Sequence, residues 1–397
     1  MRILILGCGS VGGEVATQLA ASRPDLQFAV GDCNVAAAEA VATRIGTAAR
    51  AVRVDVTDCE SLRAAMSGAD LVFNAVGPFY RSALPVVDAA IEARIDYVDI
   101  NDDHDVAAQL IVDSTYDRRA AAAGIKVLIG CGSTPGFTNV LARLGADRLD
   151  RARAIRLCWI VPFVGGFFSA AVWDHLFHMV DGDVTQFLEG RHQRVPAFGG
   201  CRNVSFLPPF GTYPAYYSGH GEPVTLGRFI EGVEEVSIRS YFFPQAGDDL
   251  MRALVRLGMG SRERVPGIDV SPLEFLTQYA TSAAGQATLT VGTGDEPFGH
   301  ASQVEVEGER GGDRVRLIFE QHQFMGDEAT PAQDPTSFCA RLALEAVLRG
   351  EVRKTGVLAP EACLDPEPYI REVVRATGMI LYEREEVVRA GRFAAGG

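Results

Sequence analysis

Lysine is almost missing from this sequence. Only Lys126 and Lys354 occur in 397 residues, so arginine supplies nearly all of the 37 basic residues, while 51 acidic residues bring the net charge to −14. A protein that neutralises nucleic-acid phosphates needs the opposite balance, and an anionic membrane surface would repel this chain. We therefore expect no nucleic-acid and no membrane partner, and we expect arginine to recognise any anionic ligand.

Three further patterns are absent. The eight cysteines form no C-x-x-C pair, which argues against a zinc knuckle or a thioredoxin-type site. The chain has no apolar stretch of about 18 residues, and its first residues carry no signal-peptide cleavage pattern. No repeat period runs through it. These absences predict a globular, cytoplasmic protein that needs no disulfide or structural metal.

The first third of the chain alternates apolar runs with helical patterns. The apolar runs lie at 2–6, 27–30, 51–54, 71–75, 97–100 and 127–129, with helical spacing between them. This alternation predicts a doubly wound parallel sheet with helices on both faces, an α/β domain over residues 1–135.

The pattern changes after Pro135. Later candidate strands follow one another across Gly-rich turns, which predicts an antiparallel sheet in a second, α+β domain over residues 136–334. These candidates lie at 233–243, 286–293 with 301–307, and 314–324. The tail, residues 335–397, has helical spacing and could cap either domain.

A glycine-rich turn joins the first predicted strand to the first helix. Gly7, Gly9 and Gly12 fit the G-x-G-x-x-G pattern, and Asp32 closes the second strand. In this context the pattern predicts a Rossmann-type dinucleotide site, although a turn that binds nothing is the alternative. The Asp32 carboxylate would accept ribose hydroxyls and repel a 2′-phosphate, so NAD is favoured as cofactor. NADP is not excluded, because three arginines follow in the sequence: Arg44, Arg50 and Arg53.

Other cofactor contacts are expected where further strands end, since ligands in such folds lie off the carboxyl ends of the strands. Besides the three glycines and Asp32, the predicted cofactor-binding residues are Ser10, Val11, Cys33, Asn34, Asp55, Val56, Ala75, Val76, Gly77, Pro78 and Asn101. For Asp55, capping of the next helix is the alternative.

Polar residues after the later strands are the candidates for proton transfer at the nicotinamide end. The predicted catalytic residues are Asp102, Thr134, His220 and Tyr80. Asp102 could instead cap the helix that follows it. His175 and His178 share a helix face, but no third ligand stands close in sequence, so we predict no metal.

The second domain supplies the candidate substrate contacts. Its basic and aromatic residues could recognise a carboxylated substrate through the planar guanidinium fork, the alternatives being solvated surface and ordinary packing. The predicted substrate-binding residues are Arg191, Arg202, Tyr213 and Trp173.

Several longer motifs together resemble one family, the saccharopine dehydrogenase-like oxidoreductases, which include lysine 6-dehydrogenases and carboxynorspermidine dehydrogenases. The resemblance covers nearly the whole chain and rests on GCGSVGGEVA, NAVGPF, AIEARIDYVDIN, the G-x-x-P-G-x-x-N at 132–139, GHGEPVTLGRFIEGV and GVLAPEACLDPEPYI. The chain departs from saccharopine-forming members at Thr134, where they carry an acidic residue, so the saccharopine substrate does not carry over.

The resemblance implies a Rossmann domain that the C-terminal helices rejoin, and an inserted α+β domain bearing much of the substrate site. It also implies hydride transfer at a carbon–nitrogen bond. We therefore expect an NAD-dependent oxidoreductase acting on an amine or amino acid, and we expect a homodimer. The alternatives are a reductase of an activated C=C bond and a non-catalytic NAD-sensing module.

Overall fold

A seven-stranded parallel sheet forms the first half of the molecule. The computed structural model describes residues 1–163, 170–289, 299–324 and 333–388. The strand order is β15-β6-β5-β4-β1-β2-β3, and every pair is parallel. The strands are β1 (Arg2–Leu6), β2 (Gln27–Asp32), β3 (Ala49–Arg53), β4 (Leu71–Asn74), β5 (Asp96–Asp99), β6 (Lys126–Leu128) and β15 (Gly356–Leu358). The predicted doubly wound sheet is confirmed.

Helices cover both faces of this sheet. They are α1 (Ser10–Ser22), α2 (Val35–Ile45), α3 (Cys59–Met66), α4 (Phe79–Ala93), α5 (His104–Ile111) and α6 (Thr115–Ala123). Ile3 and Ile5 pack into the core on one face, and Leu4 and Leu6 pack into the core on the other. The first strand therefore reads as an unbroken apolar run, as a strand buried on both faces must.

The chain changes direction across the sheet between β1 and β4. After β1 it moves outward through β2 and β3, and it then returns to place β4 on the other side of β1. A crevice opens at such a switch point, beyond the carboxyl ends of the strands. The loops that follow β1, β4, β5 and β6 meet there.

A nine-stranded sheet forms the second half. Its main path runs β10-β11-β12-β7-β13-β14-β16, and a β8–β9 hairpin joins through β12. The strands are β7 (Arg151–Pro162), β8 (Asp183–Leu188), β9 (Arg191–Pro196), β10 (Arg202–Ser205), β11 (Thr212–Tyr217), β12 (Glu235–Phe243), β13 (Gly299–Arg310), β14 (Asp313–Phe324) and β16 (Ile380–Val388).

This second sheet is mixed, whereas the sequence had predicted an antiparallel one. Strands β7 and β12 run parallel over nine residue pairs, from Ala154↔Glu235 to Pro162↔Phe243. A parallel pair requires a crossover connection, and the long segment between these two strands supplies it. Sequence neighbours such as β13 and β14 do form the antiparallel hairpin that was expected.

The remaining helices are α7 (Phe137–Asp147), α8 (Ala170–Val180), α9 (Glu222–Phe229), α10 (Gln245–Arg256), α11 (Pro272–Thr281), α12 (Ala283–Leu289), α13 (Pro335–Leu348), α14 (Pro360–Cys363) and α15 (Pro366–Thr377). In the described part of the chain, none of the helices has both the length and the apolarity of a membrane span.

Two segments differ from the pattern expected of them. The candidate strand at 286–293 is helical over 286–289, within α12, and its other residues lie outside the described ranges. The tail contributes to both sheets: α13 packs against α1 and β15 extends the parallel sheet, but β16 pairs with β14 in the second sheet. The helical pattern of the tail gave no sign of this last strand.

Candidate active site

The glycine turn after β1 is built so that only glycine fits at two positions. Gly7 has φ +89°, and a Cβ atom there would lie 2.7 Å from the carbonyl oxygen of Ala75. A Cβ atom on Gly12 would lie 1.9 Å from the carbonyl oxygen of Gly7. Helix α1 begins at Ser10 immediately after the turn, so its unpaired N–H groups face the crevice and can bind a pyrophosphate.

Asp32 fixes this turn from the end of β2. Its Oδ2 accepts the Cys8 N–H at 2.7 Å, and its Oδ1 accepts the Asn34 N–H at 2.8 Å. The carboxylate is thus held beside the turn, in the place from which this fold contacts an adenosine ribose.

The other predicted cofactor contacts lie along the same edge of the sheet. Ala75 packs against the glycine turn, and the N–H of Val76 donates to Asn74 Oδ1 at 3.1 Å. Asp55 accepts hydrogen bonds from the N–H and the hydroxyl of Thr57, and these bonds lower the pKa of Asp55. It therefore stabilises its own turn but does not cap the next helix, the alternative that the sequence had left open, because Asp58 is the N-cap of α3. Asn101 lies farther along, buried, and its Oδ1 accepts the Asp103 N–H at 3.2 Å.

A cavity of about 370 Å³ lies between these loops and the second sheet. Its walls are mainly apolar, formed by Trp159, Val161, Pro162, Leu176 and Met179. One end is polar and carries Asp102, Ser133, Thr134, His175 and His220, and a second polar group consists of His300, Ser302 and Gln321. Three of the four predicted catalytic residues thus line one cavity.

Asp102 and His175 form an ion pair at the polar end. Oδ2 of Asp102 lies 3.3 Å from Nε2 of His175, and Nδ1 of His175 lies 3.2 Å from Oδ1 of the fully buried Asp103. Burial disfavours the imidazolium, but the two carboxylates outweigh it and raise the pKa of His175 to about 9. Burial raises the pKa of Asp102. The pair therefore holds a proton at the cavity surface at neutral pH.

His220 is held in the same manner by a different carboxylate. Its Nδ1 lies 2.5 Å from Oε2 of Glu222, and Thr134 Oγ1 donates to the other carboxylate oxygen at 2.7 Å. Both His220 and Glu222 are buried. Burial works against the charged imidazole, yet Glu222 raises the pKa of His220 overall. Thr134 thus acts through Glu222 as a positioning residue.

Asp102, His175 and His220 form what we call the polar cluster. Each offers one ligand atom, and these atoms lie within 4.8 Å of one another. Two imidazoles and one carboxylate are also a ligand set that suits zinc or iron, and carboxylates behind the imidazoles are common in such sites. The hydrogen bonds to Asp103 and Glu222 hold both rings in place without an ion.

Tyr80, the fourth predicted catalytic residue, lies behind this cluster. Its hydroxyl donates to Asp174 at 2.8 Å, and its backbone N–H donates to Asp103 at 2.8 Å. Tyr80 is not among the residues that line the cavity. Its contacts support Asp103 and helix α8.

The predicted substrate contacts are not brought to the cavity. Arg191 has 71% of its side chain exposed on a hairpin, and Arg202 pairs with Glu305 at 2.9 Å. Tyr213 packs beside Tyr241 in an aromatic cluster, and Trp173 is fully buried against the core of the second domain. Trp173 shares helix α8 with His175 but points the other way, because helical neighbours two apart do not face the same side.

Sequence reasoning missed several residues that do line the cavity or hold its groups: His175 as a proton-transfer group, Glu222, Trp159, His300 and Gln321. The spacing of His175 and His178 along one helix face was a signal in the sequence. The carboxylates that pair with these histidines, however, lie about 70 residues earlier, in the loop after β5 and the first turn of α5. For Glu222 the only signal was its place two residues after His220.

Three comparisons place the chain among known proteins. A family model described as the saccharopine dehydrogenase NADP binding domain matches residues 3–134. Carboxyaminopropylagmatine dehydrogenase of Synechocystis is 26% identical over 302 residues, which cover 72% of this chain and 74% of that protein. The structure of saccharopine dehydrogenase (L-Glu forming) from Saccharomyces cerevisiae superimposes with a TM-score of 0.65 at 17% identity. That match covers 98% of this chain and 100% of the yeast chain, and it shows a shared fold.

Proposed function

We propose that the chain, whose residues 3–134 match the saccharopine dehydrogenase NADP binding domain, is a saccharopine dehydrogenase-like oxidoreductase and that it transfers hydride between NAD(P) and a carbon–nitrogen bond. The dinucleotide fits the chain because Gly7 and Gly12 allow the tight turn and the close packing of α1, and because no protein atom beyond the chain neighbours lies within 4 Å of a Cβ position on Gly9, which leaves the backbone there open to a pyrophosphate. When bound, the cofactor supplies or accepts the hydride.

The polar cluster is the observation that carries this proposal. Reduction of an imine leaves a nitrogen that must gain a proton, and oxidation of an amine requires that a proton be removed. His175 is protonated at neutral pH, its pKa being about 9, and its Nε2 faces Asp102 at the cavity surface. His175 would give this proton to the nitrogen in the reductive direction, while Asp102 stabilises a cationic nitrogen beside it.

The cavity also favours a particular substrate class. In the part of the chain that the structure describes, no Arg or Lys lines it. Of the segments outside that part, 164–169, 290–298 and 325–332 contain no Arg, Lys or His, whereas 389–397 contains Arg389 and Arg392. Among the described residues that line the cavity, a carboxylate would therefore find no guanidinium partner. We propose an amine or imine with an apolar body and no carboxylate beside the reacting carbon, in place of the carboxylated substrate that the sequence suggested.

A pair of matched substrates tests both the proposed reaction and the proposed substrate class. NADH and NADPH oxidation is followed with 1-pyrroline and with 1-pyrroline-2-carboxylate, and amine oxidation is followed with diamines and agmatine. We expect turnover with 1-pyrroline, which has no carboxylate, and at least about tenfold lower kcat/KM for 1-pyrroline-2-carboxylate, the effect of about 1.4 kcal/mol.

Other outcomes would contradict the proposal. Preference for the carboxylate would refute the substrate class alone. Turnover of an α,β-unsaturated carbonyl compound with none of the imines would assign the chain to C=C reduction. Tight NADH binding without turnover of any of these compounds would favour the sensing module.

A further inference from the structure

A line of alternating carboxylate and imidazole side chains runs from the cavity through the protein to the partly exposed Asp105. Its five members are Asp102, His175, Asp103, His178 and Asp105. The carboxylates come from the loop after β5 and the first turn of α5, and the histidines come from one face of α8. His178 and Asp105 do not line the cavity, so proton transfer to substrate does not account for them.

Three of the four steps along this line are 3.3 Å or shorter, and the step between His178 and Asp103 is 3.9 Å. Asp102 Oδ2 to His175 Nε2 is 3.3 Å, and His175 Nδ1 to Asp103 Oδ1 is 3.2 Å. Nε2 of His178 then lies 3.9 Å from Asp103 Oδ1 and 3.0 Å from Asp105 Oδ1. A small movement of this one nitrogen would change its partner from one carboxylate to the other.

Exposure is lowest in the middle of the line. Asp103 is fully buried, while the side chain of Asp102 at the cavity end is 29% exposed and that of Asp105 at the outer end is 33% exposed. The His178 ring is held in place from both sides, stacked on Tyr80 with centroids 4.4 Å apart and on His104 at 5.8 Å. Solvent can therefore reach the carboxylates at the two ends of the line but not Asp103 between them.

We infer that this line is a proton relay that connects the polar cluster to solvent at Asp105. The inference rests on the proposed function, because only a reaction that consumes or releases a proton at His175 needs such a route. The walls of the cavity are mainly apolar, so a bound substrate and cofactor would separate His175 from bulk water on that side.

The transfers balance at each group. A proton from water binds Asp105 and passes to Nε2 of His178, which then gives it to Asp103. Asp103 then passes it to Nδ1 of a neutral His175 ring that carries its proton on Nε2, and the imidazolium that forms releases the Nε2 proton to the nitrogen of the substrate. Each group gains one proton and loses one, and no electron moves. In amine oxidation the same steps run backwards.

Hydrogen exchange at His175 tests the relay without any substrate. With ¹⁵N-labelled histidine, of which the chain has seven, NMR can follow the exchange of the His175 Nδ1 proton with water. We expect His178→Gln to slow this exchange at least about tenfold, since glutamine keeps a hydrogen bond but cannot pass a proton on. Asp105→Asn should slow it as well, and it leaves the stacked ring in place if His178→Gln fails to fold.

A matched control and a rescue separate the relay from a structural role. His192 is a half-buried histidine that contacts the Val224 carbonyl oxygen outside the line, so His192→Gln should leave the exchange unchanged. Imidazole in solution should restore exchange in His178→Ala, because it can occupy the space of the lost ring.

Equal exchange rates in the unmutated chain, His178→Gln and Asp105→Asn would overturn the relay, since the proton would then reach His175 by way of the cavity. The proposed reaction would survive that result. Conversely, the enzyme could fail to turn over the proposed substrates while the variants still slow the exchange. The proton relay would then stand, but it would serve a different reaction.

Discussion

Replacing Asp102 by asparagine tests the central claim about the polar cluster, that a carboxylate keeps His175 charged. Asparagine has nearly the same shape and removes only the charge. The pKa of His175 should fall from about 9 toward its ordinary value of 6.5, because the Asp102 carboxylate is the largest contribution that raises it. At neutral pH the variant would hold much less of the imidazolium that the proposed reaction uses.

The size of the fall follows from the geometry. The rise from 6.5 to about 9 corresponds to a preference of about 3 kcal/mol for the imidazolium. Two charges 3.3 Å apart attract by at most about 5 kcal/mol at an effective dielectric constant of about 20. Solvent at the cavity surface reduces this figure, and Asp103 still supports the ring. A fall of at least about one pKa unit is therefore expected.

Titration of the His175 imidazole by ¹⁵N NMR measures this directly. Asp113→Asn is the matched control, since Asp113 accepts the Thr115 N–H in an exposed turn between α5 and α6 and does not line the cavity. In kinetic assays with a substrate found as proposed above, Asp102→Asn should lower kcat by about a hundredfold or more, the usual effect of losing acid–base assistance. NADH affinity should stay nearly constant. An unchanged titration of His175 in Asp102→Asn would refute the assignment of the charge.

The raised pKa of His175 also makes the free energy of unfolding depend on pH. His175 binds its proton more tightly in the folded chain than in the unfolded chain, where its pKa is 6.5. Its contribution to the free energy of unfolding is therefore complete below about pH 6.5 and disappears as the pH rises through about 9. In Asp102→Asn this loss should still begin at about pH 6.5 but should be smaller and end at lower pH, which denaturant unfolding at pH 6 and pH 9 would detect.

Three further results are expected. NADH should bind at least about tenfold tighter than NADPH, a difference of about 1.4 kcal/mol, and Asp32→Ala should narrow that gap; equal affinities in the unmutated chain would contradict the ribose contact. Gly12→Ala should weaken NADH binding at least about tenfold, because its Cβ atom would lie 1.9 Å from the Gly7 carbonyl oxygen, with thermal unfolding measured alongside to detect global damage. Dialysis against a chelator should leave turnover unchanged, and a loss restored by added zinc would reassign the polar cluster to metal binding.

The parallel sheet was predictable because its signals are local. Each strand is a short apolar run, and each helix follows at regular spacing, so neither requires knowledge of distant residues. The turn at Gly7 and Gly12 is equally local, since its geometry depends on a few consecutive residues. The parallel β7–β12 pair was not predictable in this way: its two strands are separated by a long segment, and nothing in either strand specifies direction.

The residues of the candidate site differ in the same way, since some have local signals in the sequence and others do not. Asp102 and Thr134 lie in the loops that follow β5 and β6, and the rule that ligands lie beyond the carboxyl ends of strands identifies them. His175 and Glu222 come from helices of the second domain, and their roles depend on which loop they meet. Spacing along one helix showed that His175 and His178 share a face, but it could not show that carboxylates from α5 and the loop before it fill the spaces between them.

The arginines that the sequence suggested as substrate contacts lie away from the cavity, and charge balance gives a physical reason. In an acidic chain with two lysines, arginine has to satisfy most of the carboxylates, and Arg202 with Glu305 is one example of such a pair. A basic patch in the sequence therefore indicates local charge balance and need not indicate a ligand. The cavity shows the opposite balance: with every group ionised, the carboxylates of Asp102, Asp103 and Glu222 outnumber the imidazoliums of His175 and His220. An excess of one buried negative charge stabilises a positive charge placed beside it. That charge is what a protonated amine or an iminium brings and a carboxylate does not, so the same electrostatics that keep the histidines protonated also select the cationic nitrogen.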